Sequence, residues 1–295
     1  METTSSIKQP IFGANLKRKL FKGLDRLLPL PQVVLKAQSL MLDPNSSFDE
    51  LAGIIETDQE ITLQILNVAN SAYYSLKNNV CSVRQACVML GLSVIGEIIM
   101  ATGTSNLFSK GLQAYDMNPK GLWQHSLAVA FSSRKIAEVV SPAVANEAFL
   151  AGLFHDVGKI ILDEQIFSRN DSFKKFLADG QNTHFRVEKQ ILGFDHSELA
   201  SELCRRWKFP KEVTRGIRRH HALTPDPDSE LGYILYTADN LTKLNGNGNG
   251  GGGHPQPIDD QMMDFLAMDE NDLTHIMAEV NESVNQISAE IFSAA

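Results

Sequence analysis

What constrains this chain most is the repeated pairing of a helix-start signal with apolar residues at helical spacing, with no convincing period-2 series to oppose it. Ser47 and Glu50 have capping-box spacing ahead of Leu51, Ile54 and Ile55. Asp58 is placed to cap a helix running through Ile65, Leu66 and Ala69. Ser82 with Gln85 repeats the capping-box spacing before Ala86, Val88, Met89 and Leu90, and Gly91 is a stop. Asn118-Pro119 reads as an N-cap followed by proline at the first helical position, opening a long helix to about Val140. Asn146 starts the next. Asp195 with Glu198 caps a helix with Leu199, Leu203 and Trp207 as its apolar stripe, and Pro210 opens another that ends near His220-His221. The chain is therefore expected to be all-α.

Its 295 residues suffice for one large domain or two smaller ones. The net charge of -8 speaks against a broad nucleic-acid surface, which relies on clustered Lys and Arg. The local basic stretch of Lys17, Arg18, Lys19, Lys22 and Arg26 reads as a solvated helix face. No apolar run is expected to reach the ~18 residues that span a bilayer, and no signal-peptide core is visible. Cys81, Cys87 and Cys204 are widely spaced in apolar or amphipathic stretches, and read as reduced core residues of a cytoplasmic protein.

From Asn245 to Gly253 only Asn and Gly occur, the composition of a flexible loop. Beyond it, Leu273, Met277, Val280, Val284, Ile287 and Ile291 are spaced as a helical seam, which either docks on the main body or pairs with a second copy.

The chemistry concentrates around His155-Asp156. Leu150, Leu153, Phe154, Val157 and Ile161 form one helical stripe, and at ~100° per residue His155, Asp156 and Lys159 face the other way. Their neighbours there are Ala148, Ala151 and Gly152, small residues that suit a tightly covered site better than a wet surface. Five more residues of metal-ligand type are His125, His196, His220, His221 and Asp239. Asp239 serves equally as a helix-ending cap. The adjacent His220 and His221 would repel if both were protonated, a conflict that binding a cation in the neutral forms removes. His184, His254 and His275 lie in polar or linker contexts, outside the site. A His/Asp set without Cys suits a divalent metal, with Fe or Mn expected first and Zn, Mg or Ni as alternatives. Asp156 is placed to bridge two ions, and Lys159 to steady a phosphate or developing charge.

These residues resemble the HD superfamily of metal-dependent phosphohydrolases, with His125, His155, Asp156 and Asp239 on its pattern in order. Leu28-Pro29-Leu30-Pro31, Asp58-Gln59-Glu60-Ile61-Thr62, Leu66-Asn67-Val68-Ala69-Asn70-Ser71-Ala72-Tyr73 and Leu90-Gly91 look like the first half of an HDOD domain. Leu122-Trp123-Gln124-His125-Ser126, Gly193-Phe194-Asp195-His196-Ser197-Glu198 and Trp207-Lys208-Phe209-Pro210 look like the second. Gln59 stands where that family usually has Pro. The related HD-GYP phosphodiesterases have further ligands at positions matched by His196, His220 and His221, but their Gly-Tyr-Pro segment is replaced by Ala222-Leu223-Thr224-Pro225-Asp226.

The resemblance implies an HD-like bundle of two helical subdomains, residues 24–112 and 113–243, between an N-terminal basic segment (1–23), the loop (244–257) and a C-terminal helical segment (258–295). It implies a binuclear site, with His125, His155, Asp156 and Asp239 on one metal and Asp156, His196, His220 and His221 on the other. It also implies a regulatory module of a bacterial signalling pathway. Its protein partner would meet the surface around Leu28–Pro31 or the C-terminal seam, the seam also being a homodimer contact. The alternative is a phosphohydrolase acting on a phosphoester or nucleotide, with Asp156 and Lys159 at the chemistry.

Overall fold

The computed structural model describes residues 13–43, 45–71, 74, 76, 79–167, 173, 177, 183–221, 230–246 and 260–293. Outside these lie residues 1–12, Ala72-Tyr73, the Ala222–Asp226 segment, His254 and most of the Asn/Gly run. The helices are α1 (Gly13–Leu27), α2 (Gln32–Met41), α3 (Phe48–Ile55), α4 (Gln59–Ala69), α5 (Val83–Leu90), α6 (Leu92–Phe108), α7 (Gly121–Val140) and α8 (Ala145–Phe154). They continue as α9 (Gly158–Phe167), α10 (His184–Leu192), α11 (His196–Arg206), α12 (Lys211–Arg219), α13 (Glu230–Leu244), α14 (Asp260–Leu266) and α15 (Glu270–Ser293). Among the described residues there is no strand, and Leu112 and Met117 form an isolated bridge. The fold is all-α.

The caps explain most boundaries. Ser47 and Glu50 form a full reciprocal capping box, while Asp58 and Asp195 accept from the backbone N–H three residues on. The second box forms only by half. Ser82 accepts from Gln85 N–H, but the Gln85 side chain takes the amide of Cys81 instead. Two starts differ from expectation. The long helix begins at Gly121, not Pro119, because Lys120 N–H bonds back to Ser109 and Lys120 turns through the left-handed region at φ 70°. A 3-10 turn at Pro142–Val144 feeds α8 directly, which frees Asn146 to bond Ser93 on α6 and Met41 on α2 instead of capping.

Helices α2–α6 pack among themselves, as do α7, α8 and α11–α13, and α6 touches both groups. The expected halves therefore share one continuous apolar core. Trp123 ties them, donating from its indole to Ala101 at 3.0 Å. The segment Val83–Phe108 is long and apolar enough to cross a membrane by length and composition, contrary to the expectation of no such run. Here Gly91, at φ 86°, divides it into α5 and α6, and α6 is buried along most of its length.

The C-terminal seam faces inward, its six apolar residues at most 4% exposed against α7 and α4. Phe292 stacks edge-on to Trp123 at 5.0 Å, and Lys135 pairs with Glu279. Around Leu28–Pro31 the leucines are buried and the prolines exposed. Cys87 and Cys204 are core residues, as expected, but Cys81 is exposed because it precedes the cap of α5 instead of lying within the helix.

Candidate metal centre

His155 and Asp156 do not lie within one helix. Helix α8 ends at Phe154, residues 155–157 form a turn, and α9 starts at Gly158. Tight backbone bonds, Val157 N–H to Phe154 and Lys159 N–H to Asp156, close that turn. The expected apolar and polar faces are both buried, with His155, Asp156 and Lys159 at most 2% exposed. The small residues do what close packing requires. A Cβ on Gly152 would meet the Ala130 backbone at 2.5 Å, and one on Gly158 would meet the His196 carbonyl oxygen at 2.1 Å.

These approaches gather every expected site residue. His125 comes from α7, His196 is the first residue of α11, His220 and His221 follow α12, and Asp239 lies inside α13 and is not a helix-ending cap. Asp156 Oδ2 lies 3.3 Å from His155 Nε2 and 3.7 Å from His125 Nε2, which is 3.2 Å from Asp239 Oδ1. Asp156 Oδ1 lies 3.2 Å from His196 Nε2 and 3.9 Å from His220 Nε2. His221 Nε2 meets His196 Nε2 at 2.8 Å. Two triads, His125–His155–Asp156 and His196–His220–His221, thus have the spacing of ion-holding groups, with one carboxylate between them.

Four buried atoms in this cluster lack any hydrogen-bond partner: His155 Nε2, Asp156 Oδ1, His220 Nε2 and Asp239 Oδ1. All can offer a lone pair. His155 and His220 each direct Nδ1 at a helix carbonyl, Gly152 at 2.7 Å and Ile217 at 2.6 Å, so in the neutral ring Nδ1 keeps the proton and Nε2 turns its lone pair to the cluster. Buried lone pairs without donors cost free energy, and a cation satisfies them together. The residues fit a divalent ion.

Electrostatics agree. Burial works to raise the Asp156 carboxyl, but His155, Lys159 and His196 outweigh it and hold it well below the usual range. Asp239 is likewise held low against burial by Lys243, His125 and His155. Burial depresses His125 and His221, and together with His155 and His196 it pushes His220 down to about 3. His196 goes the other way, to about 9, because Glu188 and Asp156 overcome its burial.

Four neighbours were not foreseen. Glu188, fully buried, holds His196; Tyr115 bonds Glu188; Lys243 pairs with Asp239; and His184 packs on Tyr115 with ring centroids 5.5 Å apart. His184 is therefore beside the site, and burial pushes it down to about 4. Only His275, exposed as expected, remains away from it among the described histidines. Glu188 was legible as an acid four residues before Leu192 in an otherwise apolar stripe. Lys243 becomes legible once Asp239 is read as mid-helix, one turn away.

An all-α chain that gathers His125, His155, Asp156 and Asp239 in that order has the arrangement of the HD superfamily. A model of the HDOD domain matches residues 27–223, and the chain belongs to that family. Its structure resembles an HDOD domain protein of unknown function from Geobacter sulfurreducens, 27% identical, with a TM-score of 0.72 over 94% of this chain and 96% of that one. A provisionally assigned phosphohydrolase of Shewanella amazonensis SB2B, 20% identical, has the same fold (TM-score 0.72, 92% and 97% covered). An uncharacterised Treponema pallidum (strain Nichols) protein is 20% identical over 206 residues, which is 70% of this chain but 39% of that protein's length.

Proposed function

We propose that this HDOD-family chain is a regulatory module of a signalling pathway, organised around a two-ion His/Asp centre. The observation that carries the reading is Asp156, whose two oxygens face separate imidazole groups. His125, His155 and Asp239 would complete one site, and His196, His220 and His221 the other. The donor set favours iron or manganese, with zinc, magnesium or nickel as alternatives. The module role is supported by Lys243, which is bonded to Asp239, so its charge serves the protein's own carboxylate. It is supported too by the sequence after His221, which lacks Gly-Tyr-Pro.

Phosphohydrolase activity is the second reading, favoured by the buried Lys159 ammonium 2.5 Å from Asp156 Oδ2. Divalent ions supply Lewis acidity toward a phosphoester. In that reading Asp156 keeps the two halves of the centre in register, and Lys159 swings from Asp156 to a substrate phosphate oxygen. The fold of the Shewanella protein is compatible with it.

Elemental analysis of aerobically and anaerobically purified protein, with hydrolysis of bis-p-nitrophenyl phosphate, tests both. Stoichiometric metal without turnover on a broad phosphoester panel sustains the module. Turnover that is lost in Asp156→Ala establishes the enzyme. Absence of metal from both preparations removes both readings.

A further inference from the structure

We propose that Glu188 is a positioning residue that sets the metal affinity of the His196–His220–His221 half of the centre, making the two halves unequal. The inference rests on the two-ion reading above. His155 and His220 direct Nδ1 at neutral helix carbonyls. His196 alone, among the candidate ligands with a described Nδ1 partner, directs it at a carboxylate: Glu188 Oε2 at 2.7 Å and Oε1 at 2.9 Å. A carboxylate only accepts, so Nδ1 keeps its proton, and Nε2, once it gives up its own to a cation, offers its lone pair beside Asp156 Oδ1 and His221 Nε2. A charged acceptor behind an imidazole makes the opposite nitrogen a stronger donor than a carbonyl does.

Glu188 also fixes where that donor stands. Its Oε2 accepts the backbone N–H of His196 at 2.7 Å, so one carboxylate holds both the ring and the main chain of the residue that begins α11. Its Oε1 accepts the Tyr115 hydroxyl at 2.9 Å. Tyr115 belongs to the 3-10 turn Gln113–Tyr115, which Asp163 of α9 anchors by accepting the Ala114 N–H at 2.8 Å. The sequence of contacts Asp163, Tyr115, Glu188, His196 therefore connects α9, α10 and α11 behind one half of the centre. The described partners of His155 show nothing comparable on the other.

The test is calorimetric titration of the metal-free full chain with Mn2+, in wild type, Glu188→Gln and Tyr115→Phe. Wild type is expected to bind two equivalents. Glu188→Gln keeps a hydrogen-bond acceptor but loses the charge, so one equivalent should weaken ~10–100-fold while the other stays within about threefold. Tyr115→Phe should weaken the same equivalent by less, and it carries the test if Glu188→Gln does not fold. Two equivalents bound by the variants as by wild type, or both weakened alike, overturns the role of Glu188 while leaving the two-ion centre standing. A wild-type chain that binds no second equivalent overturns the two-ion reading, and this inference with it.

Discussion

Gly158 touches the backbone of His196 so closely that a Cβ there would stand 2.1 Å from its carbonyl oxygen and 2.9 Å from its carbonyl carbon. Neither backbone can move aside without shifting the start of α9 or α11, and with it the Asp156–His196 approach. Gly158→Ala is therefore expected to cost about 1–3 kcal/mol in urea unfolding, by overpacking. Gly53→Ala, where a Cβ meets nothing within 4 Å inside α3, should instead stabilise by about 0.5–1 kcal/mol. Equal midpoints for the two variants would contradict the close approach.

Lys243 occupies Asp239 Oδ2 at 2.5 Å, where its charge competes with any cation held by His125 and His155. Lys243→Met should lower the melting temperature of the metal-free protein by leaving Asp239 unpaired. It should also tighten the Mn2+ equivalent held by His125, His155 and Asp239 on the order of tenfold or more, since a repelling charge is gone. An unchanged or weaker affinity would show that the ammonium helps to build that half instead of opposing its ion.

Ile287 is 1% exposed in the C-terminal seam. Ile287→Ala is expected to cost about 2–5 kcal/mol in chemical denaturation. Because the seam packs within its own chain, the transition should not move with protein concentration. A midpoint that rises on concentrating the sample would place the seam between copies.

Without metal, stability should be greatest near the ordinary histidine pKa of 6.5 and fall on both sides, as followed by thermal melts from pH 5 to 9.5. His196 is raised to about 9, so the stability it contributes is fully present below 6.5 and is lost as pH climbs through 9. His220 is lowered to about 3, so the unfolded chain takes up a proton below 6.5 that the folded chain refuses, and stability falls with pH. Saturating Mn2+ should flatten the alkaline limb, because an ion at His196 displaces the same proton. A monotonic profile without metal would contradict this pairing of shifts.

The helices and most starts were legible because caps and apolar rows are local. So were all seven candidate ligands, through the chemistry of their side chains and their order. The break between Phe154 and Gly158 was not, because the apolar stripe runs through it unchanged and only the packing of Gly158 on His196 shows where the helix must turn. Glu188 stands out in the sequence as an acid in an apolar stripe, but its role does not, because that comes from a ring eight residues away that only the fold brings beneath it. Lys120, which moves the start of α7, is held by a bond to Ser109 that no local pattern encodes.

Helix α15 closes over α7 and α4, yet it follows both by more than a hundred residues in the chain. While the chain is still emerging, Trp123 and the apolar side of α7 have been made but their cover has not. The growing chain therefore holds a greasy surface open from the completion of α7 until residues 270–293 have been made and can fold back over it.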